Sequence, residues 1–411
     1  MGWTQAVSHV DFDRDGRQDI IVANDYGRNA FLRNLGSGKF ENAAPALGVT
    51  KAYHSMNVGI GDLNDDDFPD VYISNLAMLV KDNKYVFPDV NTPIDFDLHA
   101  MAGMLIKESD MFYMSQLEQG QLAGYVPSKN VERGSSSTGW AWDAEFLDFD
   151  HDGDDDLYLV NGTNDFNTFS TVYRSVALDE NPREYLLDHR RESNVFFLNE
   201  EGKLKNVSMR SGADFAANSR STAYLDYDDD GDLDIAVNNF HAPATFLRND
   251  ADKRGRGWLK IRLVGDPSRP SSADAACDGL ADCGWHWFEA RARRWVEESG
   301  DRAPSWLVER LALEPDRRSS RDAVGARIVV TLEDQTRVRR EVRVGSGYLS
   351  MNPKEQHFGV GSSRSVDVQI VWPNGERQTL PALAVNASYT VRQGVSSAER
   401  TPTRAISRLI P

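Results

Sequence analysis

The sequence predicts an all-β molecule, and three observations carry that prediction. An acidic nine-residue segment occurs four times. Each copy runs straight into a short apolar stretch that ends on Asn. The second half of the chain is a series of apolar runs cut by turn residues. Short runs rich in β-branched and aromatic residues, bounded by Asp, Asn and Gly, read as strands.

The acidic segments hold the charge of the whole chain. Of 411 residues, 63 are Asp or Glu and 46 are Lys or Arg, a net charge of −17. Windows 11–19, 62–70, 148–156 and 226–234 contain 21 of those acids, with Arg14 and Arg17 as their only basic residues, so they carry −19. The other 375 residues carry +2. A disordered or uniformly solvated acidic chain would spread its charge. At 40% hydrophobic residues the chain can bury real cores, and its length suggests two or three domains, or one large β domain plus another. Without a basic stripe it is a poor nucleic-acid binder. It has no run of about 18 apolar residues, so no membrane span is expected. Residues 1–10 lack the basic and apolar regions of a signal peptide.

Aligned on their first Asp, the segments read DFDRDGRQD, DLNDDDFPD, DFDHDGDDD and DYDDDGDLD. The apolar stretches end on Asn24, Asn75, Asn161 and Asn239, each thirteen residues after the first Asp. Phe31-Leu32-Arg33-Asn34 and Phe246-Leu247-Arg248-Asn249 also share an offset, and Phe197-Leu198-Asn199 repeats the element after an insertion. Matches at several separate offsets mark an internal repeat. Stretches IIVAN, VYISN, LYLVN and IAVNN are strands, as are the runs before the loops, such as Ser221–Leu225. Gly38-Lys39-Phe40 and Gly202-Lys203-Leu204 turn into further strands. Three or four short strands per unit of about 50 residues is the pattern of a β-propeller blade.

Residues 1–255 form this propeller region, with insertions at about 80–139, where helical content is expected, and 165–192. ADKRGRG at 251–257 is a linker. A small β domain follows over 258–395, interrupted at about 268–320 by two expected helices, and 396–411 reads as a flexible tail. Cys277 and Cys283, the only cysteines, lie in that interruption. They could pair if the protein is exported, or stay as free thiols.

The loops are candidate metal sites. Side-chain oxygens at positions 1, 3 and 5 can converge on one point, position 7 can add a backbone carbonyl, and position 9 a further carboxylate. The ligand sets are then Asp11, Asp13, Asp15, Arg17 and Asp19; Asp62, Asn64, Asp66, Phe68 and Asp70; Asp148, Asp150, Asp152, Asp154 and Asp156; and Asp226, Asp228, Asp230, Asp232 and Asp234. Such hard-oxygen shells suit Ca²⁺ better than Mg²⁺, which keeps water and demands a tighter octahedron. A saturated shell makes the ions structural. Position 6 must turn through a left-handed conformation, which Gly16, Gly153 and Gly231 supply easily. Asp67 stands there in the second loop, so that site is expected to be the weakest. Position 12 is apolar throughout, which excludes the EF-hand and its bidentate Glu.

The repeats resemble FG-GAP/VCBS calcium-binding blades. Asp322 to Arg327, Gly345-Ser346-Gly347-Tyr348-Leu349-Ser350, His357-Phe358-Gly359-Val360-Gly361 and Trp372-Pro373-Asn374-Gly375 resemble the ASPIC/UnbV domain of cartilage acidic protein-like chains. The resemblance implies a calcium-loaded propeller with a β-rich C-terminal module, secreted, periplasmic or at the cell surface. Four loops against the family's roughly seven blades lead to the expectation of an N-terminally incomplete chain. The functional expectation is a binding or adhesion scaffold for a protein or glycan ligand. The alternative is a UnbV-type enzyme of secondary metabolism with a pocket between propeller and C-terminal domain. No nucleophile or phosphate-loop motif occurs. Trp140, Trp142, Asp143 and Glu145 form the most suggestive cluster outside the loops. They suit sugar or acid–base chemistry, or, with Trp3, packing between blades.

Overall fold

The computed structural model describes residues 3–25, 27–36, 38–50, 52–53, 55–75, 78–81, 84–85, 105–107, 111–128, 141–162, 193–251, 253, 255–269 and 319–402. Within them the regular structure is strand, apart from one short helix, Ser208–Ser211. The first unit is an antiparallel sheet of Trp3–Val10, Asp19–Asp25, Ala30–Gly36 and Lys39–Asn42, paired in chain order. The second pairs Ser55–Gly61, Asp70–Asn75, Met111–Glu118 and Gln121–Pro127 in the same way. The third is Ala141–Leu147, Asp156–Asn161, Val195–Glu200 and Lys203–Asn206. The fourth is Ser219–Leu225, Asp234–Asn239 and Thr245–Leu247.

Each acidic loop is the turn between a unit's first two strands, and pairing resumes at its edges: Val10 faces Asp19, Gly61 faces Asp70, Leu147 faces Asp156 and Leu225 faces Asp234. The cores lie between sheets. Phe12, Ile21 and Phe31 pack with Val71, Ile73 and Tyr113 between the first two. Tyr72 and Phe112 pack with Phe146 and Leu157 between the second and third. Tyr158 and Phe196 pack with Ile235 and Val237 between the third and fourth. A middle strand covered on both faces is buried at every residue, as Asp70–Asn75 and Asp156–Asn161 are; its sequence is therefore a continuous apolar run. First strands of successive units pack side by side at a hub, where Asn57 Nδ2 donates to Ala144 O at 3.1 Å. This is a propeller-type arrangement.

Three expectations are corrected. The helical content expected over 80–139 is not found at Met111–Glu118, which is a strand paired to Asp70–Asn75, followed by its hairpin partner. MFYMSQLE is apolar because both faces near its start are buried, which imitates a helix segment. The tail expected to be loose from 396 contributes the strand Ala398–Thr401, whose backbone completes the edge of Ala387–Arg392. Trp3 does not pack between blades but is 72% exposed, at the start of the first sheet's edge strand. The 165–192 insertion, most of 268–320 with both cysteines, Trp140 and residues 403–411 lie outside the described residues.

The C-terminal domain packs two four-stranded sheets around one core that includes Leu259, Ile261, Ile328, Val330, Val368 and Trp372. Gly257–Val264 runs parallel to Ala387–Arg392 and antiparallel to Gln356–Gly361, a strand not expected from the sequence. This domain sits on the acidic loops. Lys260 Nζ is 2.6 Å from Asp226 Oδ2, Arg340 is 2.8 Å from Asp155, and Gly359 N donates to Asp148 Oδ2 at 2.8 Å. The linker is held too, with Arg256 2.6 Å from Asp150.

Candidate metal centre

The four loops share one set of backbone bonds. The carboxylate at position 1 accepts from the N–H at position 6: Asp11 from Gly16 and Asp226 from Gly231 at 2.9 Å, Asp148 from Gly153 at 3.0 Å, and Asp62 from Asp67 at 3.1 Å. Position 5 accepts from the N–H of position 7, as in Asp15 to Arg17 (2.8 Å), Asp66 to Phe68 (2.9 Å), Asp152 to Asp154 (3.1 Å) and Asp230 to Asp232 (2.9 Å). Position 6 is left-handed in every loop, with φ 85° at Gly16, 78° at Asp67, 98° at Gly153 and 99° at Gly231. Position 4 is left-handed as well, at Arg14, Asp65, His151 and Asp229. The sequence reading missed this, since those four residue types share no obvious signal.

Position 9 is a clamp. One oxygen accepts from the N–H of position 2: Asp19 from Phe12, Asp70 from Leu63, Asp156 from Phe149 and Asp234 from Tyr227, all at 2.9–3.0 Å. The other accepts from the third strand, at Asn34 (2.7 Å) and at Ser115, Asn199 and Asn249 (2.8 Å each). These acceptor bonds explain the Phe-x-x-Asn element. In the second unit it is Phe112-Tyr113-Met114-Ser115; Ser for Asn hid it, although Phe112 holds the matching place. The Asn at the end of the second strand has its own role in three of the units. Thr4, Ser55 and Ser219 hydroxyls donate to Asn24, Asn75 and Asn239 at 2.8–2.9 Å.

Carboxylate oxygens of Asp11, Asp13 and Asp15, of Asp148, Asp150 and Asp156, and of Asp226, Asp228 and Asp230 lie within 4.8 Å of one another. Oxygens bound to one Ca²⁺ at about 2.3–2.6 Å are at most about 5 Å apart, so these spacings fit. The Oδ1 atoms of Asp11, Asp148, Asp150, Asp226 and Asp228 are buried without a hydrogen-bond donor. In the second loop both Asp62 oxygens accept backbone N–H groups at 3.1 Å, and Asn64 donates to Asp66 at 3.1 Å. Burial raises Asp11 to about 7 and Asp148 to about 8, and neighbouring carboxylates push the same way. Asp62 and Asp70 rise to about 7 and Asp19 to about 8, again chiefly by burial. A divalent cation would reverse that cost. Basic groups flank the loops: Arg33 lies 2.8 Å from Asp13, Lys253 lies 3.0 Å from Asp232, and the Arg17 side chain pairs with Asp15.

The other sequence candidates are built into the hub. Trp142 is buried, its indole N–H bonds Gly162 O, and its ring meets Tyr348 at 5.2 Å and Arg220 at 4.5 Å. Asp143 accepts from Asn57 Nδ2 (2.5 Å), Thr222 N (2.9 Å), Tyr348 N (3.1 Å) and Ser350 Oγ (3.2 Å). Glu145 accepts from Asn352 Nδ2 at 2.9 Å. The segment 343–352 of the C-terminal domain thus plugs the hub. His151 and His357 are buried, 5.0 Å apart, and burial holds both below the usual range, His151 at about 4.

Sheets of this topology with carboxylate loops at one end define a repeat protein of the propeller type. The FG-GAP-like repeat family matches residues 11–73, and the ASPIC and UnbV family matches residues 316–398. The chain therefore carries FG-GAP-like repeats followed by a C-terminal ASPIC/UnbV domain. No curated protein matches it with significance.

Proposed function

We propose that the chain is a calcium-binding scaffold in which ions in the acidic loops lock the sheets and, through them, the C-terminal domain. One observation carries this reading: carboxylates converge in the first, third and fourth loops, with a buried, donor-less oxygen at position 1 of each and at position 3 of the third and fourth. Asp11, Asp13 and Asp15, then Asp148, Asp150 and Asp156, then Asp226, Asp228 and Asp230 would hold the ions. Calcium supplies charge neutralisation at these points. The protein's own groups keep the loops wound and tie them to the third strands. The second loop lacks such oxygens among the described residues and is the weakest of the four. Extracellular modules are loaded at about 10⁻⁴–10⁻³ M calcium, which suits a secreted, periplasmic or surface location and a binding or adhesion role toward a protein or glycan.

The test is metal content and melting. After dialysis against calcium the protein should retain about three ions firmly and a fourth weakly, and excess EGTA should lower its melting temperature. At a hundredfold excess over Kd each site contributes about 2.7 kcal/mol. Melting that is unchanged once metal removal is confirmed would refute the reading.

A further inference from the structure

A cavity of about 410 Å³ opens between the propeller loops and the C-terminal domain. One wall is the outer face of the sheet formed by Arg337–Glu341, Arg327–Thr331, Ser365–Val371 and Arg377–Ala384. The opposite wall comes from all four units, including Ile60, Phe68, Phe146 and Tyr224. Strand alternation explains its character. Ile328, Val330, Val368 and Ile370 point into the domain core, so Arg327, Val329, Arg337 and Arg339 are left for the cavity.

Seven arginines and four carboxylates line the space. Docking onto acidic loops accounts for some of the arginines. Arg14 pairs with Glu341 at 3.4 Å, Arg339 with Asp67 at 2.9 Å, and Arg340 with Asp155 at 2.8 Å. The remaining carboxylate, Asp62, belongs to the second loop. Arg327, Arg337 and Arg343 have no ion-pair partner among the described residues; Arg343 donates to Ile60 O at 3.0 Å. Loop docking therefore leaves three guanidinium groups without a carboxylate in direct contact inside a partly apolar cavity, although Arg327 acts on Asp11 and Arg343 on Glu145 across longer distances. Its size is that of a small-molecule site. A guanidinium fork suits phosphate or sulfate oxygens, and the apolar walls suit a ring or short hydrocarbon body.

We propose that this interdomain cavity binds a compact organic oxyanion, a phosphate or sulfate ester, with its charged group on Arg327, Arg337 and Arg343 and its body against Ile60, Phe68 and Val329. The site does not depend on the identity of the loop metal. Calorimetric titration of the full chain in calcium buffer with phenyl phosphate, phenyl sulfate and neutral benzyl alcohol tests it. At least one ester should bind, and the comparison of the two separates phosphate from sulfate preference; benzyl alcohol should not bind. Arg327→Gln and Arg337→Gln should each weaken the bound ester about tenfold or more, as loss of a charged hydrogen bond does. Arg400→Gln, outside the cavity, should leave it unchanged. Arg337 is exposed and carries no ion pair among the described residues, so its variant should fold normally, which circular dichroism can verify. No binding of either ester at about 10 mM, equal binding of benzyl alcohol, or affinities unchanged by both arginine substitutions would overturn the proposal. Calcium retention is measured separately, so a failure here leaves the loop reading standing, and the reverse.

Discussion

The carboxylates at positions 1, 3 and 9 of a loop differ in what their oxygens face. Position 9 holds a backbone N–H of its own loop with one oxygen and one near the third strand with the other. Among the described residues, Asp156 alone of the position-9 carboxylates also lies in a converging carboxylate cluster. Position 3 in the fourth loop, Asp228, keeps a buried Oδ1 with no donor. A buried acceptor without a donor costs roughly 1–3 kcal/mol, more when charged, so such an atom is tolerated where a cation answers it. Asp228→Ala should accordingly lower bound calcium by about one ion per chain while the sheet stays intact. Elemental analysis of dialysed protein checks this, and an unaltered calcium ratio would remove Asp228 from the ligand set.

At the scale of the element, each loop is a hairpin turn with two left-handed residues. Gly231 adopts φ 99°, and a Cβ there would overlap the Trp258 indole of the C-terminal domain. Gly38 is also left-handed, at φ 68°, with open space around it. Gly38→Ala should therefore cost only the backbone term, roughly 1–2 kcal/mol. Gly231→Ala adds overpacking of about 1–3 kcal/mol and should be clearly the worse of the two in denaturant titrations; equal costs would show that the indole moves aside freely. This contrast also shows what the residues alone could say. The second strands and the loops were legible because four copies kept one phase. Met111–Glu118 was not, because it lies far along the chain from its partner Asp70–Asn75 and Ser115 replaces the expected Asn. Position 4 was not legible either, since Arg, Asp, His and Asp tell nothing of a shared φ.

At the scale of the molecule, the C-terminal domain reads the propeller through its hub, and no single-domain pattern could announce that. Segment 343–352 brings Tyr348, Ser350 and Asn352 onto Asp143 and Glu145. Burial raises Asp143 to about 7; it also raises Glu145 well above the usual range, with the Asp143 charge adding to it. Arg343 opposes the rise at Glu145, and Tyr224 is the other titratable group facing it. Both carboxyls have folded pKa values above their unfolded ones. Their contribution to stability is therefore fully present below the ordinary carboxyl range; Asp143's is lost as pH rises through about 7, and Glu145's as pH rises well above the ordinary carboxyl range. Glu145→Gln keeps the shape and removes one titration. The acidic loops contribute alike to wild type and variant, so the difference between their melting curves isolates the hub. As pH rises above the ordinary carboxyl range, from about pH 5 upward, the variant should gain stability relative to wild type. The gain should appear as one transition covering both parts of the chain, because the plug joins them. Parallel pH profiles for the two proteins would mean that Glu145 stays ionised in the folded hub, held so by Arg343.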